Sequence, residues 1–305
     1  MNKSFLALVC LLCWLSASAQ ISSKKVFSFG AIPNEKFEVL ESADILTPFK
    51  LVGGLAFVEG VHNGQRSTYI LDTGAPGLIL NNKLNESNID DLYIASGLTG
   101  NTSIGEYIVD EFKILNITKE SLLAHQMDLE HIEDEILHRF AGLVGSDIFN
   151  NSILILDYKN RLWGTTKEAP TKRIDATIPF TLQEHFIVVE MELGGRKLRM
   201  ILDTGAEINI LDGMSTSHVK KKLVKDLGVT SIQSASSDNT ESKNISVSKF
   251  FLGKHVERNH EFSILDFDFI NEGLTKKLDG LIGYPFLEGK KIAIDFTARM
   301  IHIYK

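Results

Sequence analysis

The tetrapeptide Asp-Thr-Gly-Ala stands at Asp72 to Ala75 and again at Asp203 to Ala206, each time directly after an apolar run, Tyr69-Ile70-Leu71 and Met200-Ile201-Leu202. Two copies of one acid motif at the ends of matched strands are a means of delivering two carboxylates to one place. Carboxylates about 3 Å apart cannot both ionise, so such a pair holds one proton and titrates as a unit. One member can then accept a proton from water while the other donates to a carbonyl oxygen. Asp72 and Asp203 are therefore the candidate catalytic pair, and the chemistry requires no metal, cofactor or covalent intermediate. Gly74 and Gly205 allow backbone amides to approach the carboxylates, while the hydroxyls of Thr73 and Thr204 are placed to reach across and tie the two loops.

The elements that must hold these loops are duplicated too. Phe57 to Leu80 aligns without a gap with Val188 to Leu211, at the offset that separates Asp72 from Asp203, and Asn63-Gly64 falls opposite Gly194-Gly195. Both dipeptides favour two-residue hairpin turns with positive φ. A second pair of blocks, Gly142-Leu143-Val144-Gly145 and Gly280-Leu281-Ile282-Gly283, leads into alternating apolar strands at Ile153 to Leu156 and Ile292 to Ile294. Read backwards, this match extends to Gln126-Met127-Asp128-Leu129 against Ile264-Leu265-Asp266-Phe267. A whole domain is duplicated, in a unit too long for a solenoid repeat.

Short period-2 runs of β-branched and aromatic residues fill most of both halves, which makes the chain predominantly β. Helical patterns are expected over Ser121 to Arg139 and Ser215 to Leu227, with a short piece at Glu272 to Leu278 before the second glycine block, as Asp134 to Phe140 precedes the first. Ala95 to Tyr107 and Gln233 to Ser246 read as polar, turn-rich stretches. The boundaries follow: a leader over residues 1–19, an extended lead-in over 20–50 interrupted by Pro33 and Pro48, lobe one over 51–164, a linker over 165–173 containing Pro170, and lobe two over 174–305.

Two Asp-Thr-Gly motifs in tandem β-lobes, each followed by a hydrophobic glycine block, resemble the aspartic peptidases of the pepsin and retropepsin kind, whose lobes each contribute one such motif. The resemblance covers nearly the whole chain after the leader. It is closest to bacterial secreted retropepsin-like aspartyl proteases, in which a Met-Asp-Leu-x-His-Ile stretch such as Met127 to Ile132 precedes the glycine block. It implies an all-β bilobal acid-protease fold with a few short helices, two tandem retropepsin-like β-barrel lobes related by a pseudo-twofold axis, and an aspartic endopeptidase acting on peptides or unfolded proteins as a monomer. Gly142, Gly145, Gly280 and Gly283 are then the loops packed beneath the Asp strands, and Gly97-Leu98-Thr99-Gly100 is the candidate flap over the cleft, with Ser234 to Thr240 its counterpart. Pepsin-like relatives often carry Ser where Ala75 and Ala206 stand; a hydroxyl there lowers the carboxylate pKa, so activity is expected at a milder pH than pepsin's. Pro76 removes a backbone donor beside the motif in lobe one only. It keeps open a second reading, a peptide-binding lobe pair without turnover. A metal-dependent hydrolase is a third reading, short of histidine partners.

The first residues have the layout of a cleaved secretory signal, with Lys3, an apolar stretch from Phe5 to Leu15 and the small-residue site Ala17-Ser18-Ala19, so the mature chain is expected to begin near Gln20 and to lie in a bacterial periplasm or outside the cell. No apolar stretch reaches the roughly 20 residues of a membrane-spanning helix. Both cysteines, Cys10 and Cys13, fall in the leader, and neither follows the small residue a lipid-attachment site needs. In a bacterium the sequons at Asn85, Asn101, Asn116, Asn150 and Asn244 are ordinary surface asparagines. A net charge of −7 with no basic block makes nucleic acid and anionic membranes poor partners. His131 and His138 are expected on a helix surface, and His255 with His260 does not form a zinc spacing. Asp128 and Asp266 are expected to cap or turn the chain, and Trp163 to lie in the core.

Overall fold

The computed structural model describes residues 7–9, 12–13, 46–81, 92–97, 101–168, 173–216, 219, 223–234 and 239–305. Each lobe is built outward from one hairpin. In lobe one, Leu55–His62 and Gln65–Leu71 pair antiparallel around Asn63-Gly64, with φ of 47° and 80°. In lobe two, Phe186–Leu193 and Arg196–Leu202 pair around Gly194-Gly195, with φ of 64° and 87°. The expected turns therefore form where a left-handed backbone is cheapest.

The glycine-block strands complete each inner sheet. Gly142–Val144 lies parallel to Tyr69–Leu71 and antiparallel to Leu78–Asn81, while Gly280–Ile282 lies parallel to Met200–Leu202 and antiparallel to Ile210–Asp212. These strands are buried on both faces, which is why they are short continuous apolar runs and do not alternate. Matching sets of side chains fill the space behind them: Phe57, Ile70, Ile79, Leu129, Ile132 and Leu143 in lobe one, and Val188, Ile201, Ile210, Phe267, Ile270 and Leu281 in lobe two.

Outside these sheets each lobe carries long hairpins: Leu92–Gly97, Asn101–Ile114 and Ile117–Met127 in lobe one, and Val224–Ser234, Asn239–Leu252 and His255–Leu265 in lobe two. Here the helical expectation fails. Helix in the first region is confined to Glu130–Ile136, ended by Leu137 in the left-handed conformation, and in the second, among the described residues, the α-helix is Gly213–Thr216. Leu122, Leu123 and Met127 have helical spacing, but their backbone groups pair with Val109 and Ile108 on one neighbour and, through His125 to Met127, with Ile79 to Asn81 on the other. Leu123 and its cross-strand partner Ile108 are left exposed, which spacing alone could not reveal. The stretches read as turn-rich, 95–107 and 233–246, are largely hairpin strand, and the short helix before the second glycine block is Asp268–Asn271, ahead of the expected 272–278.

A third sheet joins the lobes. In it Ile153–Asp157 of lobe one pairs antiparallel with Lys291–Asp295 of lobe two, flanked by Leu162–Thr166 and Thr47–Pro48 on one side and by Met300–Tyr304 and Ile174–Gln183 on the other. Ile174–Gln183 then runs on into lobe two, where Phe180 to Gln183 pair with Phe186 to Val189. The strand Leu162–Thr166 includes two residues placed in the linker, and Trp163 within it is buried edge-on against Phe149. Within the expected leader, Ala7–Val9 pairs with Ile232 to Ser234 and Leu12–Cys13 with Ser96 and Gly97.

Candidate active site

Asp72 and Asp203 each follow the last residue of an inner hairpin, and their amides extend the parallel ladders by one step: Asp72 N–H donates to Val144 O (2.9 Å) and Asp203 N–H to Ile282 O (3.0 Å). The loops then turn towards each other. Thr73 N–H donates to Thr204 Oγ1 and Thr204 N–H to Thr73 Oγ1, both at 3.0 Å, while the Thr73 hydroxyl donates to Leu202 O (2.8 Å) and the Thr204 hydroxyl to Leu71 O (2.7 Å). Each hydroxyl accepts from the opposite loop and donates to the opposite strand, so four buried bonds lock the lobes at the point the threonines were expected to join.

The same twofold governs the carboxyls. Gly74 N–H donates to Asp72 Oδ1 (2.9 Å) and Gly205 N–H to Asp203 Oδ1 (2.8 Å). A methyl group built on Gly74 would stand 2.7 Å from the carboxyl carbon of Asp203, and one on Gly205 would collide with the carboxyl of Asp72. Each acid thus lies against the other's loop, in space that only glycine leaves open. Both are fully buried, and their Oδ2 atoms have no hydrogen-bond partner among the described residues.

Burial raises the pKa of Asp72 well above the usual carboxylate range, and the adjacent Asp203 raises it further. Burial lifts Asp203 to about 6, an effect opposed by the Gly205 amide. These shifts belong to the pair, which keeps one proton through mildly acid conditions. A linkage follows. Because the folded-state pKa is raised, the folded protein binds the proton more tightly than the unfolded chain, so stability is greatest below the unfolded value of 3.8 and falls as pH rises towards about 6. Denaturant unfolding between pH 4 and 7 should show the fall in the parent and a smaller one in Asp203→Asn, where only the buried Asp72 is left to titrate; equal slopes in both would refute a contribution from Asp203.

The supporting residues lie where the motif placed them. Ala75 and Ala206 are fully buried and offer the carboxyls no hydroxyl. Side chains on Gly142 and Gly280 would strike the carbonyls of Ile79 and Ile210, and on Gly145 and Gly283 those of Ala75 and Ala206. The blocks therefore pack directly beneath the Asp-Thr-Gly loops. Pro76 leaves this geometry intact, since Asp72 and Asp203 accept from equivalent glycine amides. Gly97 ends the Leu92–Gly97 strand, which comes alongside the Asp268–Asn271 helix of the other lobe; Leu98, Thr99 and Gly100 lie outside the described residues. Residues 234 and 239–240 of the opposite hairpin are strand, and 235–238 lie outside the described residues.

Other polar residues have structural roles. Asp128 and Asp266 accept from the amides of Glu130 and Asp268, capping the helical turns that follow. His138 follows its helix and packs edge-on against Phe57. His255 and His260 each bond one oxygen of the buried Glu257 at 2.7 Å, with Lys290 at 3.1 Å; burial disfavours that carboxylate's charge, but the three donors together hold its pKa far below normal. A surface cavity of about 720 Å³ lined by Asp175, Thr177, Pro179, Lys254 and Val256 shares no residue with the catalytic loops.

Sequence reasoning missed three residues. Asn209 accepts from Gly283 N–H and donates to Glu261 O, a bridge for which lobe one has Leu78 in its place. Tyr158, where lobe two has Phe296, is buried with its hydroxyl unpartnered among the described residues, and burial and then the charge of Asp203 push its pKa up. His185 reaches from lobe two to the catalytic loop of lobe one, where Nε2 is 3.1 Å from Gly74 O. It lies three residues before the aligned block begins, so the duplication gave no signal for it.

Two β-lobes clasped about a twofold pair of Asp-Thr-Gly loops define the bilobal fold of the aspartic proteinases. Residues 189–286, within the second repeat, match the family described as aspartyl protease. The structure is similar to an aspartic proteinase from Irpex lacteus, with a TM-score of 0.55 and 12% sequence identity, over 86% of this chain and 97% of that one. A search of curated protein sequences found no match.

Proposed function

We propose that this chain is an aspartic endopeptidase that hydrolyses peptide bonds with a water activated between Asp72 and Asp203. The observation that carries the reading is the pair of buried carboxyls, each set against the opposite loop with its Oδ2 unpartnered, since a substrate and a water need those two oxygens. With one proton on the pair, the ionised member takes a proton from water as it attacks the scissile carbonyl, and the protonated member donates to the carbonyl oxygen. The tetrahedral intermediate collapses when its nitrogen is protonated and the C–N bond breaks, leaving a new carboxyl and a new amine. The pair then again holds a single proton. The raised pKa values and the absence of a hydroxyl at Ala75 and Ala206 favour work at a mildly acid pH.

One chain supplies both halves of the site, which supports action as a monomer, and the leader-like first 19 residues support work beyond the cytoplasm, in a bacterial periplasm or outside the cell. Peptides or unfolded proteins are the substrate class this reading implies, because the paired acids act on a peptide carbonyl and the C–N bond beside it. The test is mass-spectrometric detection of fragments from an unfolded protein, with and without a chelator and a statine-type inhibitor. Cleavage insensitive to the chelator and blocked by the inhibitor is expected; peptide binding without fragments would favour a binding protein on the same fold.

A further inference from the structure

The turn that enters each inner hairpin, between Lys50–Val52 and Leu55–His62 in lobe one and between Ile174–Gln183 and Phe186–Leu193 in lobe two, docks on the other lobe, but the two dockings are unequal. The lobe-one turn presents Gly53 and Gly54, which lie against Glu207 and Tyr284 of lobe two. At the corresponding positions of lobe two stand Glu184 and His185. There the backbone carbonyl of His185 accepts from Ser146 Oγ (2.8 Å), and its buried ring brings Nε2 to 3.1 Å from Gly74 O. A carbonyl can only accept, so Nε2 carries the hydrogen. That carbonyl belongs to the same peptide unit as Ala75 N–H, which donates back to Asp72 O at 3.2 Å, and to the residue whose own N–H donates to Asp72 Oδ1 at 2.9 Å. Donation to a peptide oxygen strengthens the N–H of the same unit. The loop of Asp203 has no equivalent, because Gly54 has no side chain to supply one.

We propose that His185 is a positioning residue: from lobe two its Nε2–H holds the Gly74–Ala75 peptide of lobe one and so aims and strengthens the Ala75 N–H that supports Asp72. It makes the two acids inequivalent across lobes that are otherwise duplicates. The ionisable groups on the elements packed there are Glu184 on the same turn, Asp147 next to Ser146 with Lys119 nearby, and the Asp72–Asp203 pair itself. Asp72 is the member raised furthest and so keeps the shared proton longest; losing the donor loosens the turn that supports its carboxylate, so the alkaline limb of the pH profile moves to higher pH.

The inference rests on the peptidase reading, and its test separates the two. His185→Phe keeps a ring beside Phe186 without the donor; His185→Gln keeps an N–H of similar reach. In His185→Phe, kcat should fall about three- to tenfold with KM within about twofold, and the alkaline limb should rise by roughly 0.3–1 pH unit. His185→Gln should recover most of both. An unchanged alkaline limb in His185→Phe, or equal impairment in Gln and Phe, overturns the proposal while leaving peptidase activity standing. If the parent cleaves nothing, titration of the Asp72 carboxyl by carbon-13 NMR in parent and variant decides: the apparent pKa should rise in His185→Phe, and an unmoved value overturns the proposal. Should His185→Phe not fold, His185→Asn, whose donor is too short to reach Gly74, takes its place in both measurements.

Discussion

Replacing either Asp72 or Asp203 by Asn should lower kcat by about a thousandfold or more while peptide binding and fold persist. Asn has the shape of Asp and keeps an oxygen to accept from Gly74 or Gly205, so the loop bonds at 2.9 and 2.8 Å survive. It can neither take a proton from water nor pass one on, and each remaining acid lacks half of the proton cycle. The double variant should therefore be hardly worse than either single one. Steady-state kinetics on matched, folded proteins checks this, and parent-like turnover in Asp203→Asn would sink the two-acid mechanism.

Thr204→Val should be the most damaging change that leaves both acids in place. Thr204 is fully buried, and its hydroxyl accepts from Thr73 N–H and donates to Leu71 O. Valine fills the same volume but leaves both lobe-one groups unpaired and out of water, at about 1–3 kcal/mol each. Since these bonds hold one loop against the other, the loss should appear as a lower unfolding midpoint and as a fall in kcat of about tenfold or more, from carboxyls no longer held at their working separation. Thr204→Ser restores the hydroxyl and should recover most of both. A Val variant with parent stability and turnover would show that the cross-lobe bonds are dispensable.

What was legible in the sequence was whatever the duplication wrote twice. Asp72 and Asp203, the threonine ties and the four block glycines each had a partner at a fixed offset; the acids and threonines meet across the lobes, and each block glycine packs in its own lobe as its mate does in the other. The hairpin turns at Asn63-Gly64 and Gly194-Gly195 were legible for a local reason, the positive φ both adopt. Features set by how one element meets another were not. The Ile117–Met127 strand has apolar spacing that suits a helix and is a strand only because neighbours on both sides take up its backbone groups. The strands Ile153–Asp157 and Lys291–Asp295 could be read singly, yet nothing in either says that they pair with each other across the lobes. His185 is the clearest case at the site, because its role depends on a docking that places a lobe-two turn on a lobe-one peptide, and its counterpart Gly54 gives no hint of it.

The central claim, one proton shared by two buried acids and used in turn, is tested most directly by the pH dependence of kcat for the parent protein on a single peptide substrate. A bell-shaped profile is predicted, falling on the acid side as the pair takes up a second proton and on the alkaline side as it loses its last, with no change on adding a chelator. A rate that climbs steadily through neutral pH, or one abolished by the chelator, would contradict it.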